Sequence, residues 1–458
     1  MHSVTALALA ALPLAAQGVI VPVPPVAVLT DTDRDGLEDP EDSCAVLRYA
    51  PGFPWAACAP MDLNPDNDAS PECKARERVA RMMLQNGRLT TRAAFSVVKN
   101  GKLHFADAFQ YLGQGQWRHD PAGVYQLYRI GSTSKAVLSV AAKVLEEHGV
   151  LSFNDFVNAD DATRAVVNGQ VTLRQLLSHQ GAFKLDSGAI HLYCYRGDLR
   201  AFWRDPDDLV SPHFNSATYG NFGGGYVYSA FNYSLAGAYL TTLGNLSYAQ
   251  ILQATVFDPA GMCTATLDGA RATRSEIGGG YGIAQGGSMH VGPYINLVAP
   301  SDPRIVDNFY SSPDLYGGSY TWQAYHLDEA GAEARDPPGG VMASVLDLAH
   351  FADALLASYR APGGLVSQAG IRELWQAHVD IGCGGSCPYE RYYGLGFFTD
   401  SLPGNPVNRV GHGGARPGFA TAFVLRPERN MAVAIFTNAD VSTVTLSDLA
   451  KTILNDFP

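Results

Sequence analysis

The sequence predicts a folded protein of mixed α and β structure, and three observations support this. Hydrophobic residues make up 47% of the 458 positions and charged residues 17%, which provides a large core and excludes a mostly disordered chain. The 47 glycines and 27 prolines indicate many turns rather than long bundle helices. Hydrophobic residues alternate around residue 100, as in strands, and repeat at helical spacing after residue 131.

The formal net charge of −12 is concentrated in one short segment. Between Asp31 and Glu72 there are eleven acidic residues and only two basic ones, whereas residues 1–30 carry no Asp, Glu, Lys or Arg. An acidic chain of this kind is not expected to bind nucleic acid or an anionic membrane by electrostatic attraction. The rest of the chain is nearly neutral, so the acidic segment needs an explanation of its own.

The first residues predict export from the cytoplasm. Residues 1–16 read MHSVTALALAALPLAA, an apolar run ending in small residues, which fits a signal peptide and is too short to span a bilayer. No Lys or Arg precedes the run, so an unstructured Ala-rich start is the alternative. No later stretch is apolar enough to span a membrane, and seven cysteines suit an oxidising compartment. We therefore expect a secreted or periplasmic protein.

Residues 17–75 are predicted to be a Pro-rich linker followed by an acidic calcium-binding segment. Its residues 31–44 read DTDRDGLEDPEDSC, and alternating Asp side chains around a glycine turn can surround Ca²⁺ with oxygen ligands. The pattern resembles a thrombospondin type 3 calcium repeat. A solvated acidic linker is the alternative, and Asn64, Asp66 and Asp68 suggest a second, weaker site. The predicted structural Ca²⁺ ligands of the first site are Asp31, Asp33, Asp35, Asp39 and Asp42.

The string Ser-x-x-Lys occurs twice, in two different structural settings. Ser96 and Lys99 lie in AAFSVVKNGKLHFADAF, where Asn100-Gly101 is a type I′ hairpin signal between two alternating runs. Residues three apart on a strand point to opposite faces of the sheet, so these two side chains cannot cooperate. The first copy is therefore predicted to be structural.

The second copy, Ser132 and Lys135, begins a predicted helix. Residues after Gly131 repeat at helical spacing up to His148-Gly149, and residues three apart on a helix share a face. Burial in an apolar helix lowers the pKa of an amine, which lets it accept a proton from a serine hydroxyl. An N-capping serine with a lysine that extends to solvent is the alternative explanation.

Together with two later strings, this pattern resembles the serine β-lactamase and penicillin-binding-protein family, in particular its class C-like branch. The string YVYSAFNYSLAG is similar to the family's Tyr-x-Asn motif, with Tyr228 at the tyrosine position. The string GHGGARPGF is similar to its His-x-Gly motif, beginning at His412. The resemblance covers residues 76–458, which are predicted to form the hydrolase domain.

The resemblance implies an α+β fold, in which an antiparallel sheet is flanked by helices beside a helical subdomain. The early hairpin (93–112) and the C-terminal strands (408–438) would share this sheet. It also implies a nucleophile, Ser132, with Lys135 and Tyr228 moving protons and His412 orienting Tyr228 or the substrate. An oxyanion hole would use the N–H groups of Ser132 and Ala415. The predicted site residues are Ser132, Lys135, Tyr228 and His412 for catalysis, and Gly413, Gly414 and Ala415 for substrate binding.

One position departs from the family pattern. Ala230 stands where the family has an asparagine that binds a substrate amide and holds the lysine, and His179 is expected to be structural. The departure favours hydrolysis of an ester or small amide, in a small molecule or short peptide, without a catalytic cofactor. The alternatives are a β-lactamase or D,D-carboxypeptidase, and a catalytically silent protein that binds through calcium.

Overall fold

One large antiparallel sheet with helices on both faces dominates the fold. The strands are β1 (Arg92–Lys99), β2 (Lys102–Gly113), β3 (Gln116–His119), β4 (Tyr128–Arg129), β5 (Thr266–Leu267), β6 (Tyr281–Gly282), β7 (Ala324–Tyr325), β8 (Val341–Ala343), β9 (Val379–Asp380), β10 (Tyr392–Tyr393), β11 (Phe398–Thr399), β12 (Val410–Arg416), β13 (Phe419–Arg426) and β14 (Met431–Thr437). The computed structural model describes residues 58, 61–84, 92–113, 115–157, 171–181, 225–243, 248–267, 281–282, 324–325, 336–384, 387, 389–416, 419–438 and 441–458.

Helices occur in the N-terminal, central and C-terminal parts of the described chain. They are α1 (Pro71–Leu84), α2 (Ser134–Glu147), α3 (Leu173–Leu177), α4 (Ala230–Thr242), α5 (Tyr248–Leu252), α6 (Asp258–Ala260), α7 (Asp336–Gly339), α8 (Val345–Arg360), α9 (Gln368–Trp375) and α10 (Thr443–Asp456). A π-helical turn, Gln253–Phe257, connects α5 to α6. Among the described residues, no helix is both long and apolar enough to cross a membrane.

The large sheet joins the two ends of the predicted domain, residues 76–458. Its nine strands lie in the order β3-β2-β1-β14-β13-β12-β11-β10-β9, and neighbouring strands are antiparallel. The early hairpin is β1 and β2, and its turn residues Asn100 and Gly101 have φ values of 56° and 69°. Two positive φ values are what a type I′ turn requires. The predicted hairpin, and its sheet shared with the C-terminal strands, are both confirmed.

The sheet is buried on both faces, as the alternation of strand β14 shows. Ala432, Ala434 and Phe436 belong to the core beneath α8, whereas Val433 and Ile435 belong to the core beneath α1 and α10. Because successive side chains of a strand point to opposite faces, one apolar strand contributes to both cores. On the first face, α2 also packs with α4, α5 and the π-helical turn, in agreement with the predicted α+β class.

A smaller sheet, in the order β4-β8-β5, fixes the start of α2. The Ile130 N–H donates to the Val341 carbonyl at 3.0 Å, and the Val341 N–H donates to Ser134 Oγ at 3.1 Å. Two hydrogen bonds therefore hold Val341 on the first turn of α2. The chain just before Val341, including Pro338 in α7, is brought against this helix as a result.

Two disulfides have both of their cysteines among the described residues. Cys58 is joined to Cys73 of α1, and Cys383 is joined to Cys387 in the loop between β9 and β10. Helix α1 spans the predicted domain boundary between residues 75 and 76, and that boundary stays a prediction. The predicted signal peptide, residues 1–16, lies outside the described residues.

Candidate active site

Ser132 and Lys135 meet at the start of helix α2. Ser132 lies in the short 3-10 turn Gly131–Thr133, and Lys135 lies in the first turn of the helix that follows. Lys135 Nζ is 2.9 Å from Ser132 Oγ. Lys135 is 1% exposed, whereas Ser132 is partly exposed, so the amine is shielded from water while the hydroxyl can be reached. A serine hydroxyl and a buried amine at this distance can exchange a proton.

A backbone carbonyl holds the lysine from a second direction. Lys135 Nζ donates a hydrogen bond to the Pro338 carbonyl at 2.8 Å. Pro338 is kept in place by the hydrogen bonds that fix Val341 to Ile130 and Ser134. The carbonyl can only accept a proton, so this contact directs one N–H bond of the amine away from Ser132.

Tyr228 lies immediately before helix α4, close to the lysine. Lys135 Nζ is 5.0 Å from the centre of the Tyr228 ring and 5.6 Å from the centre of the Tyr233 ring. A cation within about 6 Å of an aromatic ring is attracted to it. The structure therefore brings the three residues proposed to move protons, Ser132, Lys135 and Tyr228, to one place.

His412 is buried beside this group, but its ring nitrogens contact other residues. Nδ1 is 2.6 Å from the Gly413 carbonyl and Nε2 is 3.1 Å from the Tyr393 hydroxyl. Because a carbonyl only accepts, Nδ1 carries the proton and Nε2 accepts from Tyr393. Burial, followed by the positive charge of Lys135, lowers the pKa of His412 to about 3, so the ring is neutral at pH 7. Its ring centre lies 6.3 Å from that of Tyr228.

Two glycines let strand β12 cross the turn that carries Ser132. Gly131 has a φ of +52°, and a Cβ there would lie 2.5 Å from the Ala415 nitrogen. A Cβ at Gly414 would lie 1.8 Å from the Ile130 carbonyl oxygen. Only glycine permits this approach, which places the partly exposed Ser132 beside the exposed Ala415. At Gly413 the neighbours are Tyr389 and Thr443, so Gly413 and Gly414 both face protein at close range.

Ala230 and Asn232 begin helix α4, and neither reproduces the missing asparagine. Ala230 is 8% exposed, and its methyl group has no hydrogen-bonding atom to offer Lys135. Asn232 is fully buried, and its Nδ2 lies 3.1 Å from Nδ1 of His179. Asn232 therefore contacts His179, and the Pro338 carbonyl is a group that holds Lys135.

Three contributors to this site are absent from the sequence-based prediction: Pro338, Tyr393 and His179. Pro338 contributes a main-chain oxygen and Tyr393 comes from a different strand, so neither has a motif that marks it. His179, expected to be structural, packs against Tyr228 with ring centres 4.3 Å apart and the rings tilted by 37°. A signal for it exists in the sequence, because α3 is followed by Ser178-His179 where a helix usually ends in glycine.

The predicted calcium ligands Asp31, Asp33, Asp35, Asp39 and Asp42 lie outside the described residues. Within the described part of the chain, no group of three or more His, Cys, Asp or Glu side chains is placed to hold a metal ion. The carboxylate of Asp62 instead accepts hydrogen bonds from the Asn64 N–H and the Asn67 side chain. The weaker second site suggested around Asn64, Asp66 and Asp68 therefore gains no support.

The sequence between residues 81 and 455 matches the model of the Beta-lactamase family. The chain belongs to the Beta-lactamase family. Among curated proteins, it is similar to penicillin-binding protein 4* of Bacillus subtilis (strain 168), with 27% identity over 171 residues. That alignment covers 36% of this chain and 35% of the relative, so the chain matches about a third of that protein's length.

Solved structures of the same fold cover most of the chain. The octameric penicillin-binding protein homologue from Pyrococcus abyssi has a TM-score of 0.59 and 18% identity, over 83% of this chain and 76% of that one. The penicillin binding protein from Bacillus halodurans has a TM-score of 0.57 and 17% identity, over 84% and 99%. A D-stereospecific amidohydrolase from Streptomyces sp. has a TM-score of 0.51 and 19% identity, over 78% and 93%. At these identities the likeness is one of fold, and it agrees with the family match.

Proposed function

We propose that this protein is a serine hydrolase that cleaves an ester or small amide through an acyl-enzyme on Ser132. The observation that carries the proposal is the position of Lys135, which is buried and contacts both Ser132 Oγ and the Pro338 carbonyl. A lysine that only extended from an N-terminal turn to solvent would not be buried in this way. The arrangement is the one that activates a serine nucleophile.

The proton balance at Lys135 is consistent with this chemistry. A neutral amine has two N–H bonds and one lone pair, and one N–H bond is directed to the Pro338 carbonyl. The lone pair is then available to take the Ser132 proton as Ser132 Oγ forms a bond to the substrate carbonyl carbon. The proton passes to the leaving group as its bond to that carbon breaks, and water later releases the acyl group and restores the serine.

Two further roles complete the proposed mechanism. Tyr228, beside Lys135, relays the proton between the amine and the leaving group. His412 stays a neutral ring and keeps the residues around Tyr228 in place. The N–H groups of Ser132 and Ala415 stabilise the oxyanion that develops during attack, and the crossing of Gly131 and Gly414 supports this pairing. Of the predicted substrate-binding residues, the exposed Ala415 would line the substrate path, and Gly413 and Gly414 would let β12 pass close enough to place it there.

The substrate class follows from Ala230. The family asparagine would bind a substrate amide and hold the lysine, and Pro338 replaces only the second of these functions. A site without the amide-binding group discriminates less against esters, which need no such partner. A β-lactamase or D,D-carboxypeptidase is the second candidate, which the similarity to penicillin-binding protein 4* favours.

The test compares wild-type protein with Ser132→Ala on three reagents: a fluorophosphonate probe, a chromogenic cephalosporin and short p-nitrophenyl esters. We expect the wild type to be labelled and to hydrolyse the esters, and the variant to do neither. Faster turnover of the cephalosporin than of the esters would favour the second candidate. If the wild type is neither labelled nor active, the protein is the catalytically silent calcium-binding alternative and the hydrolase proposal is wrong.

Export and calcium binding belong to the same proposal. Cleavage after Ala16 would leave a mature exported chain, and sequencing its N-terminus tests this directly.

The Asp-rich segment would bind Ca²⁺ as a structural ion, so adding Ca²⁺ should raise the melting temperature and EDTA should lower it. The triple variant Asp31→Asn, Asp33→Asn, Asp35→Asn is the matched control, and it should show no response. An equal response in both proteins, or none in the wild type, would make this segment a solvated linker.

A further inference from the structure

His179 occupies a position at which a helix normally has glycine. Helix α3 ends with a pair of hydrogen bonds, from the Gln180 N–H to the Gln175 carbonyl at 2.7 Å and from the His179 N–H to the Leu176 carbonyl at 3.1 Å. This pair defines a Schellman motif, in which the residue after the helix cap is left-handed. His179 has a φ of +58°, a left-handed conformation that is unfavourable for a residue with a Cβ. A histidine kept at such a position suggests that its side chain is used.

The hydrogen bonds of His179 fix the chain on both sides of Tyr228. The Val227 N–H donates to the His179 carbonyl at 3.0 Å, and the Ser229 N–H donates to His179 Nδ1 at 3.2 Å. The Asn232 side chain adds a second donor to Nδ1 at 3.1 Å. The imidazole ring itself packs against the Tyr228 ring, with ring centres 4.3 Å apart. His179 therefore contacts Tyr228 directly and fixes the residue before it and the residue after it.

These contacts also determine the chemical form of His179. A backbone N–H can only donate, so Nδ1 must accept and the proton of the neutral ring is on Nε2. Nε2 is buried and has no hydrogen-bond partner among the described residues. Complete burial, followed by the positive charge of Lys135, lowers the pKa of His179 well below its usual value.

We propose that His179 is a positioning residue that sets the Tyr228 ring against Lys135 and Ser132 by accepting hydrogen bonds at Nδ1. This rests on the proposed function, in which Tyr228 moves a proton. His179 does not touch the reacting atoms in this proposal, and its effect on the reaction passes through Tyr228. A small displacement of a group that transfers a proton reduces the rate by up to about 100-fold.

Two substitutions separate the hydrogen-bond acceptor from the backbone conformation. Asparagine tolerates the left-handed conformation and carries Oδ1 near the place of Nδ1, so His179→Asn keeps both properties. Glycine adopts the conformation without cost but has no acceptor, so His179→Gly keeps only the backbone. Asn430→Gly is the matched control, since Asn430 is also left-handed (φ 52°) and lies at the turn between β13 and β14.

The experiment measures kcat and KM for a p-nitrophenyl ester, with melting temperature as a check on folding. We expect kcat to fall about 10–100-fold in His179→Gly with little change in KM, and to stay within about threefold of wild type in His179→Asn and Asn430→Gly. Wild-type kcat in His179→Gly would overturn the proposal. An equal loss in His179→Asn and His179→Gly would overturn it too, because the acceptor would then not matter.

A spectroscopic measurement tests the same idea without turnover. In protein with ¹³C-labelled tyrosine, the Tyr228 ring signal, identified by its loss in Tyr228→Phe, should move in His179→Gly and return towards the wild-type position in His179→Asn. An unmoved signal in His179→Gly would overturn the proposal even in an inactive protein. Absence of turnover and probe labelling in the wild type would instead count against the proposed function, so the two failures can be told apart.

Discussion

The two Ser-x-x-Lys strings share a motif but have different surroundings. In strand β1, Ser96 is buried and its hydroxyl donates to the Val345 carbonyl at 3.1 Å, while Lys99 lies partly exposed at the strand end. At the start of α2, the same spacing brings Ser132 Oγ and Lys135 Nζ to 2.9 Å. The backbone conformation determines this difference. Side chains three residues apart lie on the same face of a helix but on opposite faces of a strand. The motif indicates a nucleophile only when the secondary structure is helical.

The strongest test of this comparison is to remove each lysine in turn. Lys135→Met keeps the length and apolar stem of the side chain but removes the group proposed to accept the serine proton. We expect kcat/KM for a p-nitrophenyl ester to fall roughly 10²- to 10⁴-fold, the usual range for loss of a general base. Lys99→Met is the matched control and should keep wild-type activity. Equal activity of the two variants would contradict the assignment of the second string.

The second string, Ser132 and Lys135, also differs from the first in the buried histidines around it. These histidines predict that the free energy of unfolding depends on pH. His412 has its pKa lowered to about 3 in the folded protein, whereas an unfolded histidine titrates near 6.5. Between these values the unfolded chain binds a proton that the folded chain does not. The free energy of unfolding therefore decreases as the pH falls from about 6.5 towards 3, by about 2 kcal/mol at pH 5 for one such histidine.

Urea denaturation at pH 7 and pH 5 measures this effect, with His412→Gln for comparison. The variant should lose less stability than the wild type over the same pH change. An identical loss in both proteins would show that His412 titrates normally in the folded state.

The smallest effect is expected at the first string. Ser96→Ala removes one buried hydrogen bond and leaves the Val345 carbonyl without that donor, which should lower the free energy of unfolding by about 1 kcal/mol. The rate of fluorophosphonate labelling should not change. Denaturation and labelling of the same sample check both statements. Slower labelling would mean that the substitution in strand β1 affects the site.

The parts of the fold that the sequence predicted are those with local signals. Asn100-Gly101 predicts its hairpin because two positive φ values restrict the residue types there. The helical repeat after Gly131 predicts α2, and the resemblance correctly placed β1 and β2 in one sheet with the C-terminal strands.

The missing parts of the site depend on contacts between distant segments. The Pro338 carbonyl could not be predicted, because a main-chain oxygen is present at every residue and only the fold brings this one to Lys135. Tyr393 reaches His412 from a neighbouring part of the sheet in the same way. Ala230 was recognised as a departure from the family pattern, but the group that compensates for it became visible only in three dimensions.

The pairing of β1 with β14 has a consequence for folding during synthesis of the protein. The register runs from Ala93 opposite Thr437 to Lys99 opposite Met431, so the central strands of the sheet come from opposite ends of the domain. Such distant pairings form late, since closing a long loop costs entropy before any contact is gained. The ribosome synthesises Ser132, Lys135 and Tyr228 before strand β12, whose backbone crosses the turn that carries Ser132. A growing chain therefore carries Ser132, Lys135 and Tyr228 without the backbone that packs across the Ser132 turn until β12 has been made.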